Sequence, residues 1–139
     1  SDATLNRFGV RIGTSEIYRS VEALEGVDDS LIVCLDLSGG RFFMPLFVKL
    51  KPGFVLDKVM ERSICDRLRN EYSPRHVPDR IYAVEMIPYT LTGKKMEVPV
   101  RKLLLGVAPE KAANRDSMAK PEALDYYIRF GRERSDYSL

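Results

Sequence analysis

Apolar residues recur at Ile17, Val21 and Leu24 behind Thr14 and Glu16, a spacing that predicts a helix with one buried face. Thr14 is expected to cap it, Glu16 suits the first turn, and Gly26 is placed to stop it. Two strands follow, Ser30 to Leu37 and Arg41 to Leu50, joined by Ser38-Gly39-Gly40, which supplies the positive-φ residues of a tight hairpin. Phe42, Met44, Leu46 and Val48 share one face and Phe43 and Phe47 the other, so both faces are expected to be covered. Pro45 lacks a ladder donor and predicts an edge position or a bulge. Met60, Ile64 and Leu68 make a second amphipathic helix from Leu56 to Tyr72, stopped at Ser73-Pro74. Ile81 to Val84 predicts a third core strand, and Val98 to Leu105 a short helix with Pro99 in its first turn and Gly106 past its end.

At the start, Ala3 to Ile12 predicts a small hairpin or loop around Gly9. Val107 to Lys120 turns polar and small and predicts a loosely held segment. Pro121 then opens a helix at about 121–131 with the stripe Leu124, Tyr127 and Ile128. The predicted class is α+β: a small sheet of about three core strands plus an N-terminal hairpin, flanked by helices, with a helical C-terminal tail. The expected organisation is a domain over 1–106 and a tail extension over 107–139.

With 139 residues, 45% of them hydrophobic, the chain needs no disulfide or metal staple to build a core. Its 22 Lys+Arg against 20 Asp+Glu exclude a general nucleic-acid binder, so any anion site must be local. Cys34, Cys65 and the one histidine, His76, fit no CxxC or zinc pattern; two buried thiols in a reducing cytosol are expected, with no metal site, and His76 is expected to be solvated or structural. The longest apolar runs, Leu31 to Leu35 and Phe42 to Val48, fall short of the ~20 residues of a membrane span, and no N-terminal targeting signal is evident, which predicts a cytoplasmic location.

Most catalytic templates fail. Gly93-Lys94 resembles the end of a P-loop, but Pro88 stands where the first glycine belongs and Lys95 where Ser or Thr belongs. No GxSxG, HExxH or dinucleotide fingerprint occurs. What remains is Ile87 to Met96, a Pro- and Gly-bent loop presenting two adjacent ammonium groups, which for an arbitrary sequence would be a solvated turn.

Pro88, four residues, Gly93 and Lys94 match the PxxxxGK motif of the adenylate-forming enzymes, the superfamily that includes acyl-CoA synthetases. Asp2 to Arg11 resembles the hinge and glycine-containing loop of that superfamily, and Glu16-Ile17 the start of its next helix. Thr90 to Val100 together with Pro121 to Tyr127 resembles the acetoacetyl-CoA synthetase branch. The resemblance runs from Ser1 to about Leu105 and implies the small, mobile C-terminal domain of such a ligase, beginning at the hinge, without the large N-terminal domain that holds the ATP and carboxylate pockets.

The resemblance implies a role for each matched residue. Lys94 would stabilise adenylation, with Pro88 and Gly93 shaping its loop. After rotation about a hinge at Asp2, Gly9 would leave room for pantetheine while Arg11 and Arg69 face the CoA phosphates. ATP and CoA are the implied substrates, and Mg2+ is expected outside this chain. A protein acyltransferase and a deacylase acting on Lys94 are further implied partners. Alone, the chain is expected to be inactive. The competing readings are an acetyl- or propionyl-CoA synthetase domain, or a non-catalytic α+β module in which Arg41-Phe42-Phe43-Met44 forms an RNA-binding platform.

Overall fold

The computed structural model describes residues 4–134 and Tyr137. They group into two compact units that divide between Glu85 and Met86. This division lies upstream of the 106/107 boundary expected from composition, because helices on either side of that boundary pack together.

The first unit begins with strands β1 (Thr4–Arg7) and β2 (Val10–Gly13), an antiparallel pair closed by Arg7 opposite Val10. Phe8 and Gly9 form the turn, both with positive φ (51° and 78°), the sign pattern of the type I′ turns that suit the twist of a hairpin. Helix α1 (Thr14–Glu22) follows directly. Its cap residue is Gly13, with no side-chain cap bond, and Thr14 is buried inside the first turn rather than capping it. The strand runs straight into the helix here, leaving no room for a separate capping residue.

Strand β3 (Val27–Ile32), β4 (Leu35–Asp36), a 3-10 turn at Ser38–Gly40, β5 (Phe42–Phe43) and β6 (Pro45–Leu50) replace the expected long hairpin. Both arms are broken: β4 and β5 pair as a separate ribbon, while β3 and β6 enter the main sheet. Helix α2 (Lys58–Glu71) is capped by Asp57, whose carboxylate accepts from the Met60 N–H at 2.8 Å. Strand β7 (Arg80–Ala83) then runs parallel to β6, giving the order β3-β6-β7. Pro45 is therefore on the central strand, not an edge or a bulge. It is tolerated as that strand's first residue, where proline is admitted.

One sheet face packs Ile32, Met44, Leu46 and Val48 against Ile17 and Val21 of α1 and Ile64 and Leu68 of α2, all essentially inaccessible. Full burial of each such side chain stabilises by roughly 1.5–3 kcal/mol. On the other face Leu31 and Phe47 are equally buried, and Phe47 stacks on Tyr82 with centroids 5.6 Å apart. In the Arg41 to Met44 segment Phe43 and Met44 are buried and Phe42 is half-buried, so it does not display the row of exposed aromatics on which RNA bases stack.

The second unit contains α3 (Glu97–Leu104), α4 (Pro109–Ala112) and α5 (Asp125–Glu133), the last preceded by a 3-10 turn at Pro121–Leu124. Helix α5 docks on α3, burying Leu124, Tyr127 and Phe130. Phe130 takes the core place expected of Ile128, which is only half-buried. Gly131 allows this approach, since a Cβ there would overlap the Leu103 carbonyl oxygen. The Tyr127 hydroxyl donates to the Met86 carbonyl at 3.0 Å.

The segment expected to be loose is held. Beyond α4 it forms a 3-10 turn at Arg115–Ser117 closed by Asn114, and Met118 is buried. Its partners are backbone groups of residues 89–91, so no apolar periodicity announced it.

Candidate functional site

In the second unit, Ile87 to Met96 is a hairpin. Tyr89 pairs antiparallel with Lys95, the Thr90 N–H donates to the Lys94 carbonyl at 2.9 Å, and the Gly93 N–H donates to the Thr90 carbonyl at 2.9 Å. Gly93 takes φ 84° at the turn, a conformation glycine adopts without Cβ strain. A Cβ there would meet nothing, so the requirement is conformational rather than steric. The Lys94 N–H donates to Thr90 Oγ1 at 3.1 Å, and Thr92 Oγ1 lies 3.0 Å from the same oxygen. Lys94 itself is exposed. At the root Pro88 is buried and its carbonyl accepts from Met96 at 3.1 Å. A third chain segment completes the sheetlet: Thr90 bridges Met118, Leu91 N–H donates to the Ser117 carbonyl at 2.9 Å, and Ala119 N–H donates to the Tyr89 carbonyl at 3.1 Å. Pro88, Gly93 and Lys94 are thus brought together on one braced turn that displays an ammonium group.

Within the first unit, Gly9 lies at the tip of the β1–β2 turn and Arg11 on β2, both exposed. Nothing lies within 4 Å of a Cβ built at Gly9, so the turn is open to an approaching molecule. Arg69, in the last turn of α2, is half-exposed and pairs with Asp66 at 3.0 Å. An exposed pair of this kind contributes little and leaves the guanidinium available to a stronger anion. Asp2 lies outside the described residues.

Neither thiol is set up as a nucleophile. Cys34 is buried, whereas Cys65 is only partly so, which corrects the expectation of two buried thiols: it lies on the solvent-side flank of α2. Burial pushes the Cys65 thiol up, opposed by Arg69 and reinforced by Glu61 and Asp66, which keeps it protonated at neutral pH. His76 is structural: its Nδ1 lies 2.8 Å from Ser73 Oγ, its Nε2 3.1 Å from Glu16 Oε2, and its ring stacks on Tyr72. Among the described residues no group of three His, Cys, Asp or Glu could hold a metal ion, and no helix is long and apolar enough to cross a membrane.

No family model matches the chain. An acetoacetyl-CoA synthetase of Caenorhabditis elegans is 47% identical over 131 residues, which are 94% of this chain and 18% of that protein. The solved structure of an acetoacetyl-CoA synthetase from Streptomyces lividans superposes with a TM-score of 0.86 at 43% identity, covering 96% of this chain and 20% of that one. This chain is a C-terminal domain of the adenylate-forming enzymes, like that of acetoacetyl-CoA synthetase. It spans about a fifth of the length of the relatives it matches. A Brucella canis acyl-CoA synthetase, at 22% identity and a TM-score of 0.60 over 68% of this chain and 17% of that one, shares the fold.

Two features of this adenylate-forming domain escaped the sequence. Thr90 braces the backbone of Lys94; a hydroxyl residue ahead of a Gly-Lys turn is a side-chain-to-backbone turn signal that could have been used. Arg7 is the other. It is almost buried, at 11% side-chain exposure, and donates to Val77 and Arg75 carbonyls and to Asp79. Nothing local distinguishes it from a surface arginine.

Proposed function

We propose that the longer protein containing this chain is an AMP-forming acid-thiol ligase that activates acetoacetate and transfers it to CoA. In the first step a carboxylate oxygen bonds to the α-phosphorus of ATP and pyrophosphate leaves. In the second the CoA sulfur bonds to the acyl carbon, the thiol proton is released and AMP leaves. Joining two anions in the first step calls for a cation placed between them before the reaction begins, which lowers the barrier without reorganisation. Lys94 is that cation in this reading. Its support is an exposed ammonium on a turn braced from both sides, in a chain 47% identical over 94% of its length to a protein named acetoacetyl-CoA synthetase.

The second step is assigned to another surface, reached by rotation of the domain about a hinge at Asp2. Gly9 admits the pantetheine arm and Arg11 and Arg69 bind CoA phosphates, a task suited to the planar donor fork of arginine. The partner is the large N-terminal domain of the same protein, which holds ATP, acetoacetate and Mg2+; among the residues described here no group of three His, Cys, Asp or Glu could hold that ion. The setting is the cytoplasm. A protein acyltransferase would silence Lys94 by removing its charge, and a deacylase would restore it. The isolated chain catalyses neither step. The test is to assay the full-length protein with acetoacetate, acetate and propionate: a kcat/KM highest for acetoacetate is expected, and a preference for acetate or propionate would replace the substrate assignment.

A further inference from the structure

We propose that Arg7 and Asp79 are positioning residues that clamp the β1–β2 hairpin, which carries Gly9 in its turn and Arg11 on β2; the role rests on the CoA-facing reading of that hairpin. Arg7 is the last paired residue of β1, opposite Val10, so it stands at the base of the turn. The turn itself is strained. A type I′ turn wants Asn or Gly first, and this one has Phe8 at φ 51°, where a bulky side chain is costly. Phe8 is 56% exposed, and its ring meets Phe42 edge-on at 4.8 Å and the Arg7 guanidinium, whose carbon lies 6.0 Å from its centroid, both from outside the turn. Little in the turn holds its own shape.

The holding contacts come from the base. Arg7 Nη1 donates to the Val77 carbonyl at 2.7 Å and the Arg75 carbonyl at 3.0 Å, and Nη2 to Asp79 Oδ1 at 2.9 Å. The second Asp79 oxygen accepts from the Met44 N–H at 2.7 Å, and the Asp79 N–H donates to the Met44 carbonyl at 2.9 Å. One guanidinium thereby joins the hairpin to the segment 75–79 and, through Asp79, to the chain entering the central strand. Lysine cannot reproduce this, because a point charge does not present a planar fork to three acceptors. The Arg7–Asp79 pair is 11% and 19% exposed, so its bond and the one to the Val77 carbonyl are partly shielded from competing water, whereas the bond to the Arg75 carbonyl is exposed.

The experiment uses the full-length protein with Arg7→Met, Arg7→Lys, Asp79→Asn and, as a control on the reading itself, Arg11→Ala. Asp79→Asn retains an acceptor for Met44, so it loosens the clamp with less risk to folding. Expected are a KM for CoA raised about tenfold in Arg7→Met and somewhat less in Arg7→Lys and Asp79→Asn, with pyrophosphate exchange within about twofold of wild type. Amide hydrogen exchange should quicken about tenfold across Phe8 to Val10, while Ile17 and Leu68 stay protected. If Arg11→Ala leaves the KM for CoA unchanged, the reading of the turn fails, and the exchange data alone then judge the clamp. Unchanged exchange in all three clamp variants overturns the proposal. So does a raised KM in Arg11→Ala with none in the clamp variants, or an equal loss of both half-reactions in folded protein.

Discussion

Thr90 and Met118 face each other across an antiparallel bridge, tying the Lys94 hairpin to a segment whose composition gave it no reason to be ordered. Thr90 holds the turn from within through its Oγ1 bond to the Lys94 N–H, and Met118 holds it from outside by being buried beside it. The orientation of the ammonium group therefore depends on residues well beyond the motif.

Met118→Ala should accordingly cost about 2 kcal/mol or more, the range for emptying a buried methionine site. Leu91 and Ala119, whose N–H groups bond across the same bridge, should lose protection together. Urea melts with amide exchange check this; unchanged exchange at Leu91 would show that the tail does not brace the turn.

Lys94→Ala in the full-length protein should slow acyl-adenylate formation by roughly two to three orders of magnitude, as removal of one transition-state contact does. Thioester formation from supplied acyl-adenylate should continue. Separate measurement of pyrophosphate exchange and of CoA transfer decides it, and an equal fall in both would make the lysine a structural residue.

Gly131→Ala sets a methyl group against the backbone of Leu103, which has no rotamer with which to give way. Helix α5 must then shift from α3, at a cost of about 1–3 kcal/mol. A lower melting temperature of this chain is expected, although alanine is the better helix former. An unchanged or higher value would mean that the two helices separate freely.

Cys65 gives a pH-dependent outcome. Its thiol is pushed up by burial, so the folded state holds the proton more tightly than the unfolded chain. The sign follows: stability from this group is present at neutral pH and falls as pH rises above the unfolded value. Alkylation by iodoacetamide near pH 8 should lag behind that of an unfolded peptide cysteine, and faster labelling would contradict the stated environment.

The amino-acid sequence by itself determined the elements with strong local signals. The periodic apolar faces at Ile17/Val21 and Ile64/Leu68, the stop at Ser73-Pro74 and the turn-forming Gly93 each depend on neighbours a few residues away, which a linear pattern records. The PxxxxGK motif likewise identified the turn that carries Lys94. Tertiary structure decided the rest. Pro45 begins a central strand because β7 adds on parallel beyond it, a pairing between segments distant in sequence. Thr14 is buried because β2 leaves no gap before α1, and Phe130 replaces Ile128 because the approach of α3 at Gly131 sets which helix face is covered. The tail is ordered by backbone hydrogen bonds, which carry no side-chain signature, and Arg7 becomes a clamp only when residues 75–79 fold back beside it. Local chemistry is written in order along the chain, whereas partners in space are chosen by packing.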